Sequence, residues 1–327
     1  LKISNNDRGK DPAAEPLGSV VDPSEDAPMP IPTITGDAVR CVLKAEATVG
    51  ESPLWHPGHK RLYWVQIMHQ LVNRFDPATG VNETFKLPEI VTCLAFRKSG
   101  GLVLTTRKHF AFFEFESSKF TRLTAVETDQ PDNRFNDGKA DRQGRFWAGT
   151  MNEKDMTLPT GNLYRLGPDQ SVKLIQPHIA CVNGTDWSPD NRTMYTTETG
   201  SYVIWQYDFD PAAGTIANRR PFVQLDPAAN IFPDGLTVDA EGFIWSNHVG
   251  NGKIVRYDPA GNIERQVQLP VPRAVSCAFG GPDLRTLFVS TARETMTPEQ
   301  LAKAPRSGSV FAVDAGVQGL PAAEYAG

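Results

Sequence analysis

The segment DGLTVDAEGFIWSNH, residues 234–248, reads as a strand, a short polar turn and a second strand. Apolar and polar residues alternate on both sides of Asp-Ala-Glu-Gly, which is the period of a half-buried sheet interrupted by turn formers. The same order recurs five more times: ESPLWHPGHKRLYWVQ from Glu51, TCLAFRKSGGLVLTT from Thr92, NDGKADRQGRFWAGT from Asn136, NGTDWSPDNRTMYTTE from Asn183 and VSCAFGGPDLRTLFVST from Val275. Successive copies begin 41 to 51 residues apart. A period of that size, made of short strands, is the period of a propeller blade, whose sheet buries its faces against its neighbours.

Each copy runs on into a third strand, as in LVNRFDPATG, VIWQYDFDP and KIVRYDPAG, and five of them into a fourth, as in ETFKLP, SVKLIQP and ERQVQLP. The sixth copy lacks its fourth strand, because the chain ends at Gly327 soon after SVFAVDAG. An open outer edge would leave unpaired backbone groups. The stretch AVRCVLKAEATV, residues 38–49, has strand composition and no place in any other blade, so it is expected to supply the missing strand. The predicted fold is all-β: a six-bladed β-propeller with four-stranded blades, closed by an N-terminal strand.

The chain has 327 residues, 40% apolar and 22% charged, with a net charge of −5. A propeller of this length is one domain, its core distributed between blades. No apolar run reaches the ~20 residues of a membrane helix, and no basic cluster invites nucleic acid. Residues 1–36 differ, with six prolines among Asp, Glu, Ser and Gly, and are expected to form a flexible arm ahead of a propeller domain at 37–327. Cys41, Cys93, Cys181 and Cys277 lack CxxC spacing and are expected as free, mostly buried thiols, which favours a reducing, cytoplasmic setting.

In a propeller the innermost strands run side by side along the central channel, so residues at one offset gather at one mouth. Four of the six such positions carry carboxylates or amides: Glu51, Asn136, Asn183 and Asp234. Each alone is an ordinary turn residue. Together they are harder to dismiss, since two carboxylates ~5 to 6 Å apart repel by roughly 3 kcal/mol at an effective dielectric near 20. A cation turns that cost into attraction, and a set of oxygens without His or Cys suits Ca²⁺, Mg²⁺ or Mn²⁺ better than structural zinc.

The chain resembles the senescence marker protein/gluconolactonase/luciferin-regenerating enzyme family. The matching motifs are GESPLW at 50–55, NRFNDGK at 133–139, AGTM at 148–151, NGTDWSPD at 183–190, PDGLTVDAEG at 233–242 and SCAFGG at 276–281. The resemblance implies one divalent metal ion (Ca, Mg, Mn, Fe or Zn) in the channel and hydrolysis of a sugar-acid lactone. It maps the metal ligands onto Glu51, Asn183 and Asp234, and substrate contacts onto Arg134 and Asn136. A third family contact is a Glu shortly after AGTM, where this chain reads Asn152, Glu153, Lys154. Gapless counting puts Lys154 at that position, so either Glu153 reaches the substrate by a small shift or the specificity differs.

Lactone hydrolysis passes through a tetrahedral intermediate with charge on the former carbonyl oxygen, which a metal, Arg134 or an amide donor would stabilise. Asp234 is the expected base for the attacking water, with Glu51 as second candidate. Hydrolysis of another ester or phosphoester, and a non-catalytic Ca²⁺-binding propeller, remain as alternatives. The scattered histidines are expected in turns or at the surface, with His248 the one that could face the channel. The tryptophans are expected between blades, and Glu198 at a solvent-facing strand end.

Overall fold

Six separate sheets hold the strands of the computed structural model, which describes residues 30–327. Five blades read in chain order from their innermost strands: residues 50–86, 93–125, 133–179, 182–224 and 232–268. The sixth is built from three consecutive strands in 274–314, and its outer strand is Arg40–Leu43, antiparallel to Val310–Asp314 with Arg40 opposite Ala312 and Cys41 opposite Phe311. This is the closure that counting strands predicts. Each innermost strand touches the innermost strand of the blade before and after it, and the sixth touches the first. The ring is therefore complete.

One pairing was not foreseen. Thr33–Ile34 lies parallel to Ile263–Gln268 as a fifth strand on the fifth blade, with Gln266 N donating to Pro32 O at 2.9 Å. The rest of the expected arm, residues 1–29, falls outside the described residues.

Alternation along the strands puts large side chains between blades, where their rings meet edge to face. Trp147 of the third blade and Trp187 of the fourth lie 6.0 Å apart, and Trp245 of the fifth and Phe279 of the sixth 5.9 Å. Such contacts add to the burial of aromatic area. Two tryptophans are also pinned by a repeated turn, DRQGRFW at 141–147 and DAEGFIW at 239–245. Asp141 accepts from Gln143 N and Arg145 N at 3.0 Å and from Trp147 Nε1 at 2.8 Å. Asp239 does the same with Glu241 N, Phe243 N and Trp245 Nε1, and adds Arg256 Nε at 2.9 Å. One short side chain thus caps a hairpin turn and fixes an indole.

After the last strand the chain crosses one end of the channel. Ala240 N donates to Gln318 O at 2.9 Å, Tyr325 N to Phe96 O at 2.8 Å and Ala326 N to Gly144 O at 2.9 Å, so this segment joins the fifth, second and third blades. Leu320, Pro321, Ala322 and Ala323 line a small cavity there with Lys139 and Asp186. Lys139 Nζ sits 2.5 Å from Asp186 Oδ2, which also accepts from Thr237 Oγ1 and Val238 N. The four cysteines are free, and three are buried. Among the described residues no helix is long and apolar enough to cross a membrane.

Candidate active site

At the opposite end of the channel the inner strands are irregular. Pairing with the second strand shifts between Glu51 and Leu54, Phe135 and Gly138, Asn183 and Thr185, Pro233 and Leu236, and Ala274 and Ser276. Only the second blade pairs without a shift, Cys93–Phe96 against Leu102–Thr105. A bulge leaves its residue unpaired and re-aims the side chain. Five blades therefore turn a residue toward the axis at one level, and four of these residues or their neighbours are Glu51, Asn136, Asn183 and Asp234. Glycine makes the crowding possible: a Cβ on Gly184 would stand 2.2 Å from Leu236 N of the next blade.

These residues line a cavity of about 340 Å³ that also touches Arg134, Met156, Thr199, Arg273 and Glu294. Glu51, Asn183 and Asp234 are buried in its floor. Burial pushes the Glu51 carboxyl well above the usual carboxylate range, and the charges of Asp234 and Asp137 push it further. Burial and then Asp137 push up Asp234 as well, while the Arg273 guanidinium opposes them. Asp234 Oδ1 is buried and, among the described residues, has no hydrogen-bond partner. Asn183 is held at both ends of its amide, Nδ2 donating to Thr199 Oγ1 at 3.2 Å and Oδ1 accepting from Gly184 N at 3.2 Å. Among the described residues no three carboxylate, imidazole or thiol groups converge on one point. The set here is two carboxylates and an amide. Buried oxygens that repel one another, one lacking any donor, fit a hard divalent cation.

The sugar-facing residues named from the sequence are partly brought together. Arg134 Nη1 donates to Asn136 Oδ1 at 2.9 Å and to Phe135 O at 2.8 Å, and Asn136 Nδ2 to Val182 O at 2.9 Å. Both line the cavity; Glu153 does not. It stands behind Arg134, with Oε1 3.5 Å from Nε, and also pairs with Arg107. Lys154 turns outward, 75% exposed, to Asp132 Oδ1 at 2.7 Å.

Two expectations are corrected. Glu198 is buried, accepting from Ala180 N, Ser201 Oγ and Trp205 Nε1 and pairing with Arg219, so it is not a solvent-facing carboxylate. Its four donors come from separate elements that the sequence alone does not bring together. His248 does not line the cavity; its ring lies 3.3 Å from the Tyr257 hydroxyl, and burial pushes its pKa down to about 4. Asp137, one residue beyond Asn136, was missed: it is buried, and burial raises it to about 6. The signal was the two-residue bulge implied by N-D-G, which turns both Asn136 and Asp137 off the ladder. Arg273 and Glu294 were missed because they come from crossings between blades and strands.

The profile of the SMP-30/Gluconolactonase/LRE-like region matches residues 49–293. Rabbit (Oryctolagus cuniculus) regucalcin is 36% identical over 297 residues, covering 88% of this chain and 98% of the relative. A calcium-binding protein, regucalcin, from Agrobacterium tumefaciens superposes with a TM-score of 0.85 at 25% identity, over 90% of this chain and 99% of that one. A luciferin-regenerating enzyme superposes with a TM-score of 0.80 at 29% identity, over 86% and 96%. Matched along most of its length in both sequence and blade order, the chain belongs to the SMP-30/gluconolactonase/LRE-like family.

Proposed function

We propose that this protein hydrolyses the lactone ring of a small sugar acid, with one divalent cation held by Glu51, Asn183 and Asp234. The observation that carries the reading is the buried Asp234 Oδ1, without a hydrogen-bond partner among the described residues, beside a second buried carboxylate at the floor of a sugar-sized cavity. When bound, the cation supplies Lewis-acid polarisation of the ester carbonyl. Everything else falls to the chain. Asp234 Oδ1, with no donor to it among the described residues, accepts the proton of the attacking water. The water oxygen bonds to the carbonyl carbon, the ring C–O bond breaks, and the proton passes to the departing ring oxygen. Arg134 keeps donors beyond the two it gives to Phe135 and Asn136 and offers them to the oxygen that gains charge. Asn136, its carbonyl already accepting from Arg134, acts by holding that guanidinium rather than as a ligand. Met156 and Phe232 form an apolar wall that limits water.

The name of the Agrobacterium relative, a calcium-binding protein, supports a second reading in which the ion only ties blades together. Proton release from a panel of aldonolactones, by metal-stripped protein with and without Ca²⁺, Mg²⁺, Mn²⁺, Fe²⁺ or Zn²⁺, separates the two. Metal-dependent ring opening that Asp234→Ala abolishes is expected. Tight metal binding with no lactone opened would leave the binding role instead.

A further inference from the structure

The cavity holds a second arginine that lactone opening does not use. Arg273 lies where the chain crosses from Ile263–Gln268 of the fifth blade to Ala274–Gly280 of the sixth. It therefore enters from a different wall than Arg134 of the third blade. Its backbone is fixed: it bridges to Val249, and its carbonyl accepts from Ala292 N at 3.2 Å. Its side chain is under-used. Among the described residues the guanidinium makes one hydrogen bond, Nη1 to Thr295 Oγ1 at 3.1 Å, and Nε is buried with no partner. Arg134 Nε likewise has no hydrogen-bond partner among the described residues, but that side chain gives two hydrogen bonds from Nη1 and has Glu153 Oε1 behind it at 3.5 Å.

An arginine carries five N–H donors in a planar fork whose spacing matches a carboxylate, and leaving such donors unmatched in a partly dry site is costly.

We propose that Arg273 and Thr295 form a carboxylate subsite at the rim of the cavity, and that the preferred substrate class is the lactone of a sugar diacid, whose second carboxylate remains free after ring closure. This inference rests on the lactonase reading and narrows it. One carboxylate is the lactone carbonyl over the Glu51–Asp234 floor; the other lies in the Arg273 fork.

D-glucono-1,4-lactone and D-glucaro-1,4-lactone test it, because they differ only at C6, a hydroxymethyl in one and a carboxylate in the other. The native protein should favour the glucaro form by at least about tenfold in kcat/KM, mainly through KM, the size expected of a hydrogen bond to a charged group. Arg273→Gln should erase that ratio, and Arg273→Lys restore part of it. In parallel, calorimetric titration of the Ca²⁺-loaded protein with D-glucarate and D-gluconate reads the subsite without any turnover. Lactones opened with no preference, or a Gln variant that weakens both acids alike, would overturn the subsite and leave the lactonase reading standing. Glucarate held through Arg273 with no lactone opened would keep the subsite and remove the lactonase reading.

Discussion

Glu153 Oε1 lies 3.5 Å from Arg134 Nε, a carboxylate set behind the guanidinium rather than in the cavity. If Arg134 contacts substrate, Glu153 positions it. Glu153→Gln should raise KM for a lactone by up to about fivefold, since a partly exposed pair contributes ~1 kcal/mol or less, and should move kcat less. Lys154→Ala should change neither, because Lys154 faces Asp132. Steady-state kinetics on both variants decides it: a KM that responds to Lys154 and ignores Glu153 would reverse the assignment.

Asp239 should be far more important to stability than its size suggests. It is fully buried and satisfies two turn amides, the Trp245 indole and Arg256. Asp239→Ala leaves Arg256 only Glu241 at 2.6 Å and Glu264 at 3.0 Å, and strands two turn amides and the Trp245 indole, a loss of about 2 to 4 kcal/mol at roughly 1 kcal/mol or more for each buried group left unpaired. Denaturant unfolding of the variant is the check. A midpoint within error of the native protein would mean that Glu241 and Glu264 compensate for the loss.

His248 makes stability fall in mild acid. Its folded pKa is lowered from 6.5 to about 4, so the native state keeps it neutral while the unfolded chain takes up a proton. Its contribution is complete above pH 6.5 and is lost as pH drops toward 4. Between pH 7 and pH 5 the loss from this one group is roughly 2 kcal/mol. His248→Gln should flatten that part of the unfolding-free-energy profile. An unchanged slope in the variant would assign the acid sensitivity elsewhere.

Glu51 and Asp234 have the opposite sign. Their folded pKa values are raised, so in metal-free protein they cost stability as pH rises from the ordinary carboxylate range through those raised values. Asp234→Asn should therefore raise the melting temperature of metal-stripped protein at pH 8. The same variant should lose the gain that a saturating cation gives, which is about 2.7 kcal/mol at a hundred times Kd. Differential scanning with and without Ca²⁺ reads both effects. A metal-free variant less stable than its parent would argue that Asp234 is held by contacts other than the proposed ligand set.

Much of this was legible in the chain because a repeat makes each copy testify about the others. Strand order, blade count and the closing role of the stretch 38–49, of which Arg40–Leu43 forms the strand, follow from aligning six segments and finding one strand short. The level of Glu51, Asn183 and Asp234 follows from the same alignment. Asp137 did not, because one residue per blade is what a regular strand would offer, and the bulge exposes two. Glu198 and Arg273 did not, because their surroundings come from Arg219, Trp205 and Thr295, which periodicity does not relate to them. The crossing of the channel by residues 318–326 was equally hidden, since its partners in three blades are backbone groups with no side-chain signature.

The pairing of Arg40–Leu43 with Val310–Asp314 also sets an order of events. Five blades are built from consecutive strands and can form as each emerges from synthesis, whereas the sixth must wait for nearly the whole chain. Contacts so distant in sequence form slowly. Residues 40–43 thus spend the longest time as a lone strand, and two chains caught at that stage can each complete the other's last sheet. Refolding should end with a slow phase that belongs to this seam, and raising the protein concentration during that phase should favour strand-exchanged dimers over closed rings.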